Sequence, residues 1–291
     1  MHHQALSDAA GKTVIRRALV HGTVDARALE GLCGEVLGHH SKWVQAADIY
    51  AIAWTGDFSG GLGGAALEAV HRAAWTLEIC PKPAVALMDG AMGPGCVVPA
   101  LFGTHRAGTV GFSATFDGAK RGELPPPGVA WFLARRLSRG AALGMLLGGV
   151  TLGAGAARAL GLLTHVVPAG RFGDVLAALE DAEPIDPLLD GMEIAAPGDG
   201  FGPAEVERFA RGELDASARA LDADLRATIA ALVDRAAKVD LDQALLNDWR
   251  VGQRWHRGER PVGGNVDALF RPLEAGDLVL PPRPRNVIAA A

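Results

Sequence analysis

Two glycine-rich turns, each entered from an apolar strand-like run, are the features of this chain best suited to chemistry. The first is Gly56-Asp57-Phe58-Ser59-Gly60-Gly61-Leu62, after Ala47 to Trp54; the second is Asp89-Gly90-Ala91-Met92-Gly93-Pro94-Gly95-Cys96, after Pro83 to Met88. A tight turn that opens a helix aims several backbone N–H groups at one point, and the helix N-terminus adds partial positive charge there. Such a point suits an anion or a polarised carbonyl oxygen. The plain alternative is tight backbone, for which glycine is the default residue. Other chemistries lack their parts. Ser59 has no histidine and acid near it in sequence, so a Ser-His-Asp nucleophile is a poor reading. Cys33, Cys80 and Cys96 lie in apolar runs without metal-ligand or paired spacing and are expected as reduced core thiols. No metal and no redox cofactor is expected. His105, Arg106 and His165, at strand-like positions, read as structural or surface residues.

The elements that must position these turns follow from periodicity. Thr13 to Val20 predicts an edge strand, Ala26 to Leu37 a helix ending at Gly38, and Ile49 to Trp54 a strand. Leu62 to Ile79 predicts a helix with Leu67, Val70, Ala74 and Leu77 on one face, stopped by Pro81 and Pro83. Strand, turn and helix thus occur twice, the pattern of an α/β protein. Cys96 to Phe102 predicts a buried helix and Arg106 to Phe112 a short strand; Pro125-Pro126-Pro127-Gly128 is a rigid loop before a helix at Val129 to Leu137. Leu162 to Val167 is the last clear strand, and the acidic, proline- and glycine-rich stretch Glu183 to Gly202 predicts an exposed connection. Helices are expected at Ala204 to Arg211, Ala216 to Val239 and Asp242 to His256. The organisation expected is an α/β core over residues 1–182 and a C-terminal helical region over 203–291, for oligomerisation or for covering the site.

Composition narrows the function classes. The chain has 291 residues, 49% of them apolar, enough to bury a sizeable core. Net charge is −5 with the basic residues dispersed, so neither nucleic acid nor an anionic membrane is an expected partner. The N-terminus has no charged segment followed by an apolar one, and no apolar run reaches spanning length; a soluble, cytoplasmic protein is expected.

Three stretches resemble the crotonase (enoyl-CoA hydratase/isomerase) superfamily: Trp54-Thr55-Gly56 with Phe58-Ser59-Gly60-Gly61-Leu62; Lys82-Pro83-Ala84-Val85-Ala86 with Asp89-Gly90 and Gly93-Pro94-Gly95-Cys96-Val97; and Leu152 to Leu163 with His165-Val166-Val167-Pro168. The resemblance implies a repeated ββα superhelix that binds an acyl-CoA or other acyl thioester, with CoA as part of the substrate and no separate cofactor. It further implies a homo-oligomer, trimer or hexamer. Leu62, beside Gly61, falls on the first backbone donor of the family's oxyanion hole. Pro94 falls on the second, and proline has no N–H to give; Gly95 is the residue that would take over in a shifted turn. Val97 occupies the slot of one hydratase glutamate. The slot of a second, twenty residues later, falls on Asp117, the expected general acid or base. A carboxylate facing an apolar acyl pocket has its pKa raised by desolvation; a solvated turn aspartate in Phe116-Asp117-Gly118 is the alternative. Glu123 is a substitute for it. An aspartate of the 3-hydroxyisobutyryl-CoA hydrolase branch falls on Pro126. That branch is nonetheless the most similar, on Ala86 to Gly90, Gly161 to Val167, and Asp248 to Gly258 followed by Gly264 to Leu269. A short segment after Leu62, where relatives often cover the adenine, keeps a carrier-protein thioester open beside free CoA. The competing reading is a catalytically degenerate binding or assembly protein of a biosynthetic pathway.

Overall fold

The computed structural model describes residues 5–7, 13–19, 49–56, 68–94, 97–196, 203–211, 213 and 216–280. Its main sheet is ordered β1 (Ala5–Ser7), β2 (Thr13–Leu19), β3 (Ile49–Gly56), β4 (Ala84–Met88), β6 (His105–Gly108), β9 (His165–Val166), parallel throughout except for the β1–β2 pair. A strand apolar at every position belongs in a sheet covered on both faces, and all five residues of β4 are buried. Side chains alternate between faces with period two. Ile52, Trp54, Ala86 and Met88 therefore enter one core, while Ala51, Ala53, Val85 and Leu87 enter another on the opposite face.

Short strands β5 (Ala91–Met92), β7 (Ser113–Thr115) and β8 (Thr151–Gly153) make a second, three-stranded sheet. Along the chain β4 leads through β5 to helix α2 (Val97–Leu101), and β6 leads through β7 to helix α3 (Val129–Ala134), so strand, strand and helix repeat. Helix α1 (Glu68–Glu78) precedes β4. The turn after β4 is fixed by side chains: Thr109 Oγ1 donates to Asp89 Oδ1 at 2.5 Å and Gly90 takes φ +87°.

Helices α4 (Arg139–Gly148), α10 (Ala223–Ala236) and α11 (Leu241–His256) pack on the larger core. Asp222 and Asp240 cap the last two, accepting from Leu225 N and Gln243 N at 2.8 and 2.9 Å. Trp75 Nε1 donates to Asp242 Oδ1 at 2.8 Å and ties α11 to α1. The remaining helices are α5 (Ala154–Ala159), α6 (Phe172–Glu180), α7 (Ile185–Met192), α8 (Pro203–Ala210) and α9 (Ala216–Ala220). Among the described residues no helix is long and apolar enough to cross a membrane.

Several expected elements differ. β2 is not an edge strand, because β1 pairs outside it. Residues 185–192, expected within an exposed connection, form α7, whose Ile185, Leu189 and Met192 are buried against the sheet. Pro187 is tolerated because it lies in the first turn, where the N–H has no intrahelical partner. The helix expected over Ala216 to Val239 breaks at Leu221-Asp222, since Asp222 starts a new one. The expected strand from Arg106 to Phe112 ends at Gly108, and the segment from Leu152 opens as strand β8 before α5. The helix expected at Ala26 to Leu37 lies outside the described residues.

Candidate active site

A cavity of about 280 Å³ lies between the second glycine turn, the loop of residues 115–127 and the C-terminal helices. Pro94 and Val97 line it on one side, and Leu146, Ile229 and Leu232 supply apolar wall from α4 and α10. Val97 is buried, so the slot that a hydratase fills with an acid is apolar here. Asp117, Glu123 and Pro126 also face the cavity. Thus five of the positions singled out in the sequence converge on one space. The other three, Gly61, Leu62 and Gly95, lie outside the described residues.

The setting of Asp117 differs from the desolvated one expected. Its side chain is 39% exposed and pairs with Arg121 Nη1 at 2.7 Å, one helical turn along. The same guanidinium holds Glu123, Nη2 to Oε2 at 2.9 Å and Nε to Oε2 at 3.1 Å. These bonds, first to Glu123 and then to Asp117, raise the Arg121 pKa. The three side chains form one ion-paired cluster, two carboxylates on a single guanidinium, at a partly exposed stretch of the wall.

A different carboxylate meets the expectation. Asp248, on α11, is enclosed by protein and keeps a strip of surface toward the cavity it lines. Its Oδ2 accepts a 2.7 Å hydrogen bond from Gly128 N, and among the described residues Oδ1 has no protein partner. Burial pushes its pKa up to about 7, against the opposing effect of the Gly128 N–H. Gly128 precedes α3 with φ +77°, and a Cβ there would come within 2.4 Å of Phe102 Cζ. Only glycine turns the N–H toward Asp248 at this close approach.

Helix α11 explains how its residues divide. Asp248, Gly252, Trp255 and His256 recur at spacings of four, seven and eight and line the cavity. Trp255 Nε1 also donates to Gly122 O at 3.2 Å, holding the loop down. Arg250 and Arg254 project elsewhere. Arg250 grips Asp277 with Nε at 2.9 Å and Nη2 at 2.5 Å and donates to Phe270 O; Arg254 donates to Leu269 O, Arg271 O and Pro272 O. The Asp248 to Gly258 and Gly264 to Leu269 patterns are therefore two parts of one clamp.

The sequence reading missed Asp248 as a site residue, and a signal was present. Leu241, Ala244, Leu245 and Val251 are buried at helical spacing, and Asp248 falls in the same stripe. An acid on the inward face of an amphipathic helix needs a partner or a purpose.

The remaining polar residues are structural. Arg106 is buried, donating to Leu162 O, Gly103 O and Gly161 O, and burial beside Arg136 pushes its pKa down to about 10. His105 and His165 bond Asp186 and Asp190 of α7 at 2.9 and 3.1 Å. His165, Asp190 and Glu193 come within 4.8 Å of one another, with Arg158 already on Glu193 at 2.6 Å. Cys80 is a free buried thiol whose pKa burial raises.

A parallel sheet with repeated strand–strand–helix turns, a second small sheet and covering helices defines the α/β crotonase fold. The chain belongs to the enoyl-CoA hydratase/isomerase family, whose model matches residues 47–245. Among solved structures it is similar to an enoyl-CoA hydratase from Rhodobacter sphaeroides 2.4.1, with 17% identity, a TM-score of 0.69 and coverage of 96% of this chain and 99% of that one. It is also similar to a carnitinyl-CoA dehydratase from Mycobacterium thermoresistibile, with 19% identity, a TM-score of 0.67 and coverage of 94% and 97%. At such identity these two likenesses establish fold alone. No curated protein matches the chain in sequence.

Proposed function

We propose that the chain is an atypical crotonase-type enzyme acting on an acyl thioester, with the acyl group in the cavity beside Pro94 and Val97. The observation that carries this reading is the convergence of the family's motif positions on one mostly apolar space that also holds an enclosed carboxylate. In this reading the Leu62 N–H polarises the thioester carbonyl. Pro94 contributes shape and no hydrogen bond, and loss of one oxyanion donor elsewhere costs about 100- to 1000-fold in rate. Enoyl-CoA hydration and its reverse share one transition state and both lack an acid at Val97, so hydrolysis or a double-bond shift is favoured over either. Asp117 and Glu123, bridged by Arg121, serve as a polar rim to the cavity. We favour the 3-hydroxyisobutyryl-CoA hydrolase branch as the finer assignment, on the sequence patterns Asp248 to Gly258 and Gly264 to Leu269, which lie together through the bond from Arg254 to Leu269 O.

The test is calorimetric binding of non-hydrolysable acyl thioethers of CoA and of pantetheine to the purified chain. Saturable binding of either supports the reading, and tighter binding of CoA than pantetheine selects free CoA over a carrier protein. Absence of binding to both overturns it. A second reading, a binding or assembly protein without turnover, is favoured by Pro94 and Val97 standing where a donor and an acid would be. Thioether binding without turnover of any acyl thioester selects it. We also propose a homo-oligomer, trimer or hexamer, which sedimentation velocity measures directly.

A further inference from the structure

We propose that Asp248, on the C-terminal helix, is the group that takes up and returns the proton in this cavity, a one-carboxylate shuttle acting on the bound acyl thioester. The inference rests on the thioester reading above and names the residue that performs its chemistry.

Among the described residues the titratable groups on the cavity wall are His71, Asp117, Arg121, Glu123, Asp248 and His256. Asp117 and Glu123 each pair one oxygen, Oδ1 and Oε2, with the Arg121 cation and stand more than a third exposed, and Arg121 cannot itself give up its proton near neutrality. His71 is buried edge-on against the Trp249 ring at 5.4 Å, and neither it nor His256 is without a partner. Asp248 lines the cavity with one oxygen fixed by Gly128 N and the other without a protein partner among the described residues. A base needs this division: one oxygen sets the orientation and the other meets the substrate. Among the described residues no cation acts on it. Ile229 and Leu232 of α10 are apolar, Gly252 has no side chain, and Arg121 is occupied. This explains why burial wins over the single N–H and moves the carboxyl into a range where both protonation states are populated near neutral pH.

One carboxylate suffices for reactions that return the proton they remove. In a double-bond shift, Oδ1 takes the proton from a carbon beside the thioester carbonyl and the C–H electron pair enters an enolate. The enolate then re-forms the carbonyl while the conjugate acid delivers the proton two carbons further along. In hydrolysis, Oδ1 takes a proton from water as its oxygen bonds to the carbonyl carbon; the C–S pair leaves on sulfur, and Asp248 returns the proton to the thiolate. The products are then a carboxylic acid and a thiol, with no other reactant.

The experiment uses the full chain, as native protein and Asp248→Asn, with 2-enoyl-, 3-enoyl- and 3-hydroxyacyl-CoA in deuterium oxide, read by mass spectrometry. Solvent deuterium retained in intact thioester marks the carbon route, and free CoA marks hydrolysis. Asparagine keeps an oxygen for the Gly128 N–H, so thioether affinity is expected within about three-fold of native while turnover falls about 100- to 10,000-fold. Should the variant fail to fold, the native pH–rate profile decides: an inflection near pH 7 supports the shuttle and a flat profile from pH 5.5 to 8.5 overturns it. Turnover by Asp248→Asn within three-fold of native overturns the assignment, as does a native protein that binds the thioether and turns over none of the panel. Failure of native protein to bind any thioether overturns instead the thioester reading, and the assignment with it.

Discussion

The wall of one cavity carries carboxylates in two settings that are far apart in sequence. Asp117 and Glu123 sit on a loop, more than a third exposed, with a shared arginine between them. Asp248 sits on a long capped helix, enclosed, with one neutral donor and, among the described residues, no cation. In the first arrangement a shared cation offsets part of the negative charge and solvent screens what remains. The second keeps an uncompensated acid where water is scarce, which folding alone does not favour. A protein gains stability by removing such a group, so its presence points to use rather than architecture.

The sharpest way to break this contrast is Asp248→Asn, followed by thermal unfolding at two pH values. Folding raises the Asp248 pKa to about 7 from the ordinary 3.8. The protonated native form keeps its full stability below pH 4 and loses it as the pH climbs through 7, amounting to at most about 4 kcal/mol at roughly 1.36 kcal/mol per pKa unit. Asparagine does not titrate. The melting temperature of the variant is therefore expected to gain several degrees over native protein between pH 4 and pH 8, and a constant difference would mean that Asp248 is not desolvated.

Gly128→Ala comes next. It places a side chain at φ +77° and against Phe102, with an expected loss of about 3 kcal/mol and a fall of several degrees in melting temperature. Unchanged stability would mean that the loop carrying the Asp248 donor is not held as described. Arg250→Ala removes the Asp277 pair and the bond to Phe270 O, which should cost about 2 kcal/mol in urea unfolding; a loss below about 0.5 would reduce the clamp to decoration. Smallest is Asp117→Asn. Exposed pairs contribute about 0.2–1 kcal/mol, and turnover is expected to fall by less than about five-fold. A loss of a hundred-fold would reverse the ranking of the two carboxylates.

Much of the core was readable because apolar residues follow simple periods. Ala84 to Met88 had to be an inner strand, and Glu68 to Glu78 showed its buried stripe through Val70, Ala74 and Leu77. Helix α7 was hidden by its own composition, since Asp186, Pro187 and Gly191 read as loop while Ile185, Leu189 and Met192 carry the packing. Motif spacing placed Pro94, Val97, Asp117, Glu123 and Pro126 around one space, because neighbours along a loop stay together. It could not bring in Asp248, whose bond to Gly128 joins positions 120 residues apart. The Asp248 to Gly258 pattern included it without a role, and the stripe on α11 marked its inward face, where a charged residue reads first as an irregularity.

The arginines of α11 set one further condition. Successive residues of a helix are turned by about 100° from one another, so the direction of Asp248 follows from how the whole rod is seated. Arg250 and Arg254 key that rod to the carbonyls of residues 269–272, none of which touches the cavity. The C-terminal segment thus works like a locating pin on a shaft: a shift there rotates the helix, and the carboxylate swings out of line without any change in the residues around it.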